Sequence, residues 1–161
     1  MEGSIDIQIR ACLLGEPTVG KTCLLNRYHQ GCFTPNTTKT IGFDFILKQI
    51  QVSESMSVRL QLWDSAGKED FSFNKIALRK ANTVIFVFDL TNYTSFKGIE
   101  NWVACAHNNS SADDWFLVGT KVDLEKHRVV PQDVAITFAE DNYMKYLEVS
   151  AKEGTNVEEL F

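Results

Sequence analysis

The sequence lacks any hydrophobic run long enough to cross a membrane, and its first residues lack the basic start and apolar block of a secretory signal. It also has no excess of basic residues: 16 Lys and Arg stand against 21 Asp and Glu, a net charge of -5. This balance argues against a broad nucleic-acid surface. We therefore expect a cytoplasmic protein that binds no nucleic acid, and 161 residues suit a single domain.

Paired cysteines are also lacking, because none of the four cysteines has the C-x-x-C spacing of a metal or redox site. We expect reduced, structural thiols, with a disulfide or zinc site as the alternative. The four are Cys12, Cys23, Cys32 and Cys105.

One stretch, Gly15 to Thr22, matches the pattern G-x-x-x-x-G-K-[ST] at every position. In such a loop, glycines at the positions of Gly15 and Gly20 let backbone N–H groups approach a polyphosphate. Lys21 places a positive charge beside the terminal phosphates, and the Thr22 hydroxyl can bind Mg²⁺. The pattern predicts a phosphate-binding loop.

The residues around this loop fit the same prediction. Ile5 to Leu14 alternates and then becomes fully apolar, which is typical of a strand that enters a buried sheet, and Cys23 to Tyr28 continues as a helix. The alternative is an ordinary glycine-containing turn that matches the pattern by chance.

Further strands and helices alternate along the chain, which predicts an α/β fold with a mostly parallel sheet and helices on both faces. Two adjacent strands, at 42–52 and 58–63, are joined by the short segment Ser53 to Ser55 and predict an antiparallel hairpin at one edge. The other predicted elements are strands at 83–89, 115–119 and 146–149, a polar and then helical stretch at 68–81, a helix at 95–107, a helix after Pro131, and a last helix that starts at Gly154.

Three more strand ends carry polar residues that could face the same crevice as the phosphate loop. Asp64 to Gly67 ends one strand, and an Asp there can hold Mg²⁺ through water while the glycine N–H bonds a terminal phosphate. Alone, D-x-x-G is a weak signal, since any turn after a strand can carry it.

The other two strand ends are Thr120 to Asp123 and Ser150 to Lys152. A carboxylate such as that of Asp123 accepts two hydrogen bonds from guanine N1 and N2 but meets no such pair on adenine. Lys121 can lay its aliphatic stem along the purine plane, and the N–H of Ala151 can donate to the guanine carbonyl. The alternative for each is a solvated turn.

Together these motifs resemble the Ras-like small GTPases over nearly the whole chain, and residues 40–45 and 63–71 resemble the Rab branch most. The resemblance implies a P-loop NTPase fold with six strands and five helices, GDP or GTP as ligand, and Mg²⁺. It implies Mg²⁺ ligands at Thr22, Thr40 and Asp64, and catalytic roles for Lys21, Thr40, Gly67 and Lys68. It implies that the nucleotide is contacted by Gly15, Pro17, Thr18, Val19, Gly20, Lys21, Thr22, Cys23, Phe33, Thr40, Gly67, Thr120, Lys121, Asp123, Ser150, Ala151 and Lys152.

The resemblance also implies that the loops around Thr40 and Gly67 are switches, and that Phe45 and Trp63 present apolar surface to effectors. An exchange factor and a GTPase-activating protein are the other expected partners. Membrane association, peripheral and on endomembranes, would come only through a lipidated tail beyond Phe161. We expect residues 1–161 to be one GTPase domain that is cut within its last helix.

Three residues depart from the family pattern. Lys68 stands where the family has a glutamine that orients the attacking water, and an ammonium has donors only. Pro17 and Thr18 stand where the family has small residues, and the proline ring could crowd an incoming arginine. We therefore expect slow intrinsic hydrolysis, although activating proteins of the Rab branch bring their own glutamine.

Two alternatives remain at this point. One is a nucleotide-loaded interaction module with negligible catalysis, which Lys68, Pro17 and Thr18 favour. The other is a P-loop ATPase or kinase, which Asp123 and the lack of a substrate-binding insertion disfavour.

Overall fold

A computed structural model describes residues 5–34, 43–65 and 71–161 of the chain. Its strands are β1 (Ile5–Leu14), β2 (Phe43–Ser53), β3 (Met56–Ser65), β4 (Thr83–Asp89), β5 (Asp114–Thr120) and β6 (Lys145–Glu148). Its helices are α1 (Lys21–Gln30), α2 (Phe71–Lys80), α3 (Tyr93–Lys97), α4 (Ile99–Asn109), α5 (Gln132–Asp141) and α6 (Val157–Leu160), with a 3₁₀ helix at Val122–His127.

The strands form one sheet in the order β2-β3-β1-β4-β5-β6. Strand β2 pairs antiparallel with β3, and every other pairing is parallel. The predicted mostly parallel, six-stranded sheet with a hairpin at one edge is confirmed. Because parallel strands point the same way, the carboxyl ends of β1, β3, β4, β5 and β6 meet at one edge.

Two hydrophobic cores lie on opposite faces of this sheet, because successive side chains of a strand point to opposite sides. In β4, Val84, Phe86 and Phe88 pack into the core beneath α2, α3, α4 and α5. Ile85 and Val87 pack into the other core, which α1 and α6 cover. This double coverage explains why β4 is an uninterrupted apolar run.

The helix predicted over 95–107 is interrupted. The structure has α3 and α4 meeting at Gly98, and α3 begins earlier than predicted because the Asn92 side chain accepts a hydrogen bond from Ser95 N at 3.2 Å. The 3₁₀ helix after β5 was not predicted, because its six residues show no helical repeat of apolar positions.

The last helix also differs from the prediction. It begins at Val157 and not at Gly154, because Gly154 and Asn156 have positive φ values of 79° and 56° that exclude a right-handed helix. The predicted starts of the polar stretch at Lys68 and of β2 at Gly42 lie outside the described residues.

In the part of the chain that the structure describes, which includes all four cysteines, there is no disulfide; Cys12 is buried and Cys32 is exposed. Within the described residues, no helix combines the length and apolar character that a membrane span requires.

Candidate functional site

The phosphate-binding loop predicted at Gly15 to Thr22 joins β1 to α1. A Cβ atom at Gly15 would lie 2.2 Å from the Val87 carbonyl oxygen, so only glycine lets the loop pass β4 this closely. Gly20 has φ 100°, a left-handed conformation that favours glycine. The helix then starts at Lys21 without a side-chain cap, so its first backbone N–H groups can receive an anion.

Lys21 lies almost fully buried against this loop. Its Nζ donates to the backbone oxygens of Gly15 and Glu16, each at 2.9 Å. Burial lowers the pKa of Lys21 to about 8, while the carboxylates of Asp64 and Glu16 oppose that lowering. The result is a poorly hydrated positive charge, which gains more from a nearby anion than a solvated lysine would.

A hydroxyl and a carboxylate meet beside Lys21, where α1 begins and β3 ends. Thr22 Oγ1 donates to Asp64 Oδ2, and Asp64 is 3% exposed. Both side chains offer oxygen atoms, the ligand type that Mg²⁺ requires. The pair therefore fits a magnesium ion.

Thr120, at the end of β5, connects the predicted base-recognition loop to the phosphate-binding loop. Its Oγ1 lies 2.5 Å from the Val19 oxygen and 3.1 Å from the Phe88 oxygen. The hydroxyl therefore contacts both the loop after β1 and the end of β4.

Lys121 crosses the same gap with its long side chain. It has φ 65°, in the left-handed region, and its Nζ lies 3.4 Å from the Thr18 oxygen. The same Nζ lies 2.6 Å from Asp89 Oδ2. Sequence reasoning missed Asp89, although an acidic residue that ends an apolar strand is the same signal that pointed to Asp64.

Asp123 and Ser150 lie in different loops and are brought together. Ser150 Oγ donates to Asp123 Oδ1 at 2.7 Å, and the N–H of Glu153 donates to Ser150 Oγ at 3.0 Å. The predicted base-recognition residues on the β5 and β6 loops are therefore neighbours. Ala151 is half-buried and Lys152 is exposed.

A second missed group supports these two loops. Arg128 donates to both carboxylate oxygens of Glu148, at 2.8 and 2.6 Å, and Tyr146 donates to Glu148 at 2.7 Å. Arg128 also pairs with Glu125 at 2.9 Å. These contacts link the segment after Asp123 to the strand that leads to Ser150.

The remaining predicted residues lie at the margin of the site or outside the description. Phe33 is half-buried after α1, and Cys23 Sγ lies 3.8 Å from the Thr34 oxygen. Thr40, Gly67 and Lys68 lie outside the described residues.

The site as a whole is a phosphate loop that opens a helix, with a buried lysine, a Thr–Asp oxygen pair and polar loops at the same sheet edge. That combination defines a P-loop nucleotide-binding domain of the α/β class.

Comparison with known proteins agrees. The family model described as Ras family matches residues 10–161. Ras-related protein Rab-30 of Homo sapiens is 41% identical over 158 residues, which cover 97% of this chain and 77% of the relative. Ras-related protein Rab-13 of Canis lupus familiaris is 37% identical over 163 residues, covering 100% and 80% of the two chains. GTP-binding protein YPT1 of Saccharomyces cerevisiae is 37% identical over 163 residues, covering 100% and 79%.

The chain belongs to the Ras family of small GTPases and is similar to its Rab members. Its ligands are GTP and GDP together with Mg²⁺. The predicted P-loop fold and the predicted nucleotide class are confirmed.

Proposed function

We propose that this chain is a Rab-like switch of membrane traffic that cycles between GDP and GTP and hydrolyses GTP slowly by itself. The observation that supports it best is that three separate loops are joined by direct contacts at one sheet edge. Thr120 and Lys121 contact the backbone of the phosphate loop, and Asp123 contacts Ser150. A single nucleotide would span these loops.

Each end of the nucleotide has its own residues in this proposal. The loop from Gly15 to Gly20, the start of α1 and Lys21 hold the phosphates. Thr22 and Asp64, with Thr40, hold Mg²⁺, which supplies charge neutralisation at the phosphates when bound. Asp123 selects guanine, and Lys121 packs its stem on the purine.

The remaining predicted contacts extend the same site. Phe33 would pack against the guanine, and the Ala151 N–H would donate to its carbonyl. Gly67 would bond the terminal phosphate, so that the loops around Thr40 and Gly67 respond to its presence.

An exposed apolar strip next to the site supports the effector part of the proposal. The Phe45 and Trp63 rings stack with centroids 5.5 Å apart, although Phe45 is 49% exposed. Leu47, two residues along β2 and so on the same face as Phe45, is 51% exposed. Exposed aromatic and aliphatic side chains of this kind suit a partner surface. We assign this strip to the binding of effectors. In the same proposal, the protein attaches peripherally to membranes through a lipidated tail.

The experiment is to identify the nucleotide that co-purifies with the chain. We then measure how well GDP and ADP each displace this bound nucleotide. We expect a guanine nucleotide, displaced by GDP and not by ADP. In Asp123→Ala the preference for GDP over ADP should fall by roughly 10²-fold or more, because guanine N1 and N2 then lose a charged acceptor. Asp113→Ala, an exposed acid on the loop before β5, is the matched control. Equal preference in Asp123→Ala and the control would contradict the assignment.

Lys68 also favours a second candidate, a nucleotide-loaded interaction module with negligible catalysis, because its ammonium cannot accept a hydrogen bond from the attacking water. Under this candidate the chain retains GTP through purification. Rapid conversion to GDP without a partner would exclude it.

A further inference from the structure

Asp89 is a buried carboxylate that none of the predicted nucleotide contacts uses. It ends β4, and only 8% of its side chain is exposed. Its position lies at the same sheet edge as Asp64 and Thr120, since β4 runs parallel to its neighbours β1 and β5.

The two carboxylate oxygens of Asp89 have separate partners. Oδ1 accepts from the Thr91 backbone N–H at 2.8 Å and from the Thr91 hydroxyl at 2.7 Å. Oδ2 lies 2.6 Å from Lys121 Nζ. The turn after β4 therefore depends on one oxygen, and the contact with Lys121 depends on the other.

Lys121 is held at both ends by these contacts. Its left-handed backbone, with φ 65°, starts the side chain from the end of β5, and its ammonium is placed between Asp89 and the Thr18 oxygen. The stem between these ends is fixed in direction, while 37% of the side chain stays exposed. An unpaired lysine would lose rotamer entropy on ordering, which is unfavourable for binding.

We propose that Asp89 is a positioning residue for the guanine nucleotide: it holds the Lys121 ammonium so that the aliphatic stem is preordered where the purine packs. This inference rests on the proposed function, because it assumes that the base lies on Lys121. The Asp89 carboxylate and the phosphates of the nucleotide are both negatively charged. The carboxylate therefore favours nucleotide binding only while the Lys121 ammonium neutralises it.

The test is the dissociation rate of a fluorescent GDP from the Mg²⁺-loaded chain, chased with excess GDP. Asp89→Asn keeps an oxygen for Thr91 but replaces the other oxygen with an NH₂ donor, which cannot accept from Lys121. We expect dissociation about tenfold faster than in the wild type, the size of a lost charge-assisted hydrogen bond.

The decisive comparison is a double-mutant cycle with Lys121→Met. In the Lys121→Met background the Asp89 carboxylate has lost its ammonium, so Asp89→Asn should leave the rate unchanged or slow it. If Asp89→Asn accelerates release equally in both backgrounds, the effect comes from the turn and the proposal is wrong.

Two controls have defined outcomes. Asp114→Asn removes an exposed acid–lysine pair, at 3.4 Å from Lys145 with side chains 58% and 68% exposed, and should leave the rate unchanged. Thr91→Val removes a partner of Oδ1 alone and should also leave it unchanged. Acceleration by Thr91→Val equal to that of Asp89→Asn would overturn the proposal.

Asp89→Ser is the second variant if Asp89→Asn does not fold, because a hydroxyl can still accept from Thr91. It should speed release by a similar factor, and an unchanged rate overturns the inference. If the wild type binds no GDP, the proposed function itself fails. If the wild type binds GDP and Asp89→Asn behaves like Asp114→Asn, only this inference fails.

Discussion

Thr18 shows how single residues of the phosphate loop depart from the simplest design. It has φ 68°, although a branched side chain makes the left-handed region costly by about 1–2 kcal/mol. Its carbonyl oxygen is the one that lies 3.4 Å from Lys121 Nζ. The strained residue is therefore also a contact between the phosphate end and the base end of the site.

Replacing Lys68 by glutamine should change the rate of GTP hydrolysis. In Lys68→Gln, single-turnover GTP hydrolysis should be at least roughly tenfold faster than in the wild type, because an amide can both accept from the water and donate to phosphoryl oxygens. Intrinsic hydrolysis by Ras is on the order of 10⁻⁴ per second, so the assay must run for hours.

The matched variant is Lys126→Gln, which makes the same chemical change at an exposed position of the 3₁₀ helix. It should hydrolyse GTP at the wild-type rate. Equal rates in Lys68→Gln and the wild type would remove Lys68 as the cause of slow turnover.

The junction of α3 and α4 contacts the phosphate loop. A Cβ atom at Gly98 would lie 2.5 Å from Glu16 Oε1 and 3.1 Å from Glu16 Cγ, and Oε1 is buried. Gly98 itself has φ -65° and ψ -19°, which any residue adopts. The contact with Glu16, and not the backbone, is what requires glycine here.

We therefore expect Gly98→Ala to lower the free energy of unfolding by about 1 kcal/mol, because the methyl group overpacks the junction. In a Glu16→Asp background the shorter side chain leaves room, and the same change should be neutral or stabilising by up to about 1 kcal/mol through helix propensity. Urea unfolding of the four proteins at saturating GDP and Mg²⁺ measures both values. An equal cost in both backgrounds would show that Glu16 is not the reason.

The elements that the sequence predicted well are those set by local pattern. The continuous apolar run of β4 and the glycine–lysine loop before α1 each carry their information within about ten residues. The break at Gly98 was not predicted, because the sequence does not show which residue packs against a glycine in a helical pattern. Here that residue is Glu16, which lies far away in sequence. For the same reason Asp89–Lys121 and Arg128–Glu148 were not predicted: each pair forms only after strands align.

Arg128 and Glu148 connect the segment before α5 to β6, two parts of the chain that are distant in sequence. Their side chains are only 17% and 10% exposed, so breaking the pair leaves a charge with little solvation. Burial would raise the pKa of Glu148, but hydrogen bonds from Arg128 and Tyr146 outweigh it, and the pKa is lowered. The hydrogen bonds that Arg128 donates to Glu148 and, next, to Glu125 raise the pKa of Arg128.

Glu148→Gln should therefore reduce the free energy of unfolding by about 2 kcal/mol at pH 7. A carboxyl with a lowered pKa stabilises the fold above its ordinary value of 4.5 and loses that contribution as the pH falls below it. The difference in the free energy of unfolding between the wild type and Glu148→Gln should thus shrink as the pH falls below 4.5. Urea unfolding at a series of pH values, from about 3.5 to about 7, measures this difference.

Glu125→Gln is the control, because its side chain is 65% exposed and its pair with Arg128 is solvated. It should change the free energy of unfolding by less than about 0.5 kcal/mol. A pH-independent difference for Glu148→Gln would mean that the lost packing, and not the charge, matters.

The hydroxyl of Thr120 has one further consequence for ligand choice. The hydroxyl has a single proton to donate, and the backbone carbonyls of Val19 and Phe88 both lie within hydrogen-bond distance of it. A side-chain amide at this position would carry two protons, one for the protein and one to spare. The Thr120 side chain therefore has no further proton to donate to a purine ring. Discrimination between bases would then depend on acceptors such as the carboxylate of Asp123.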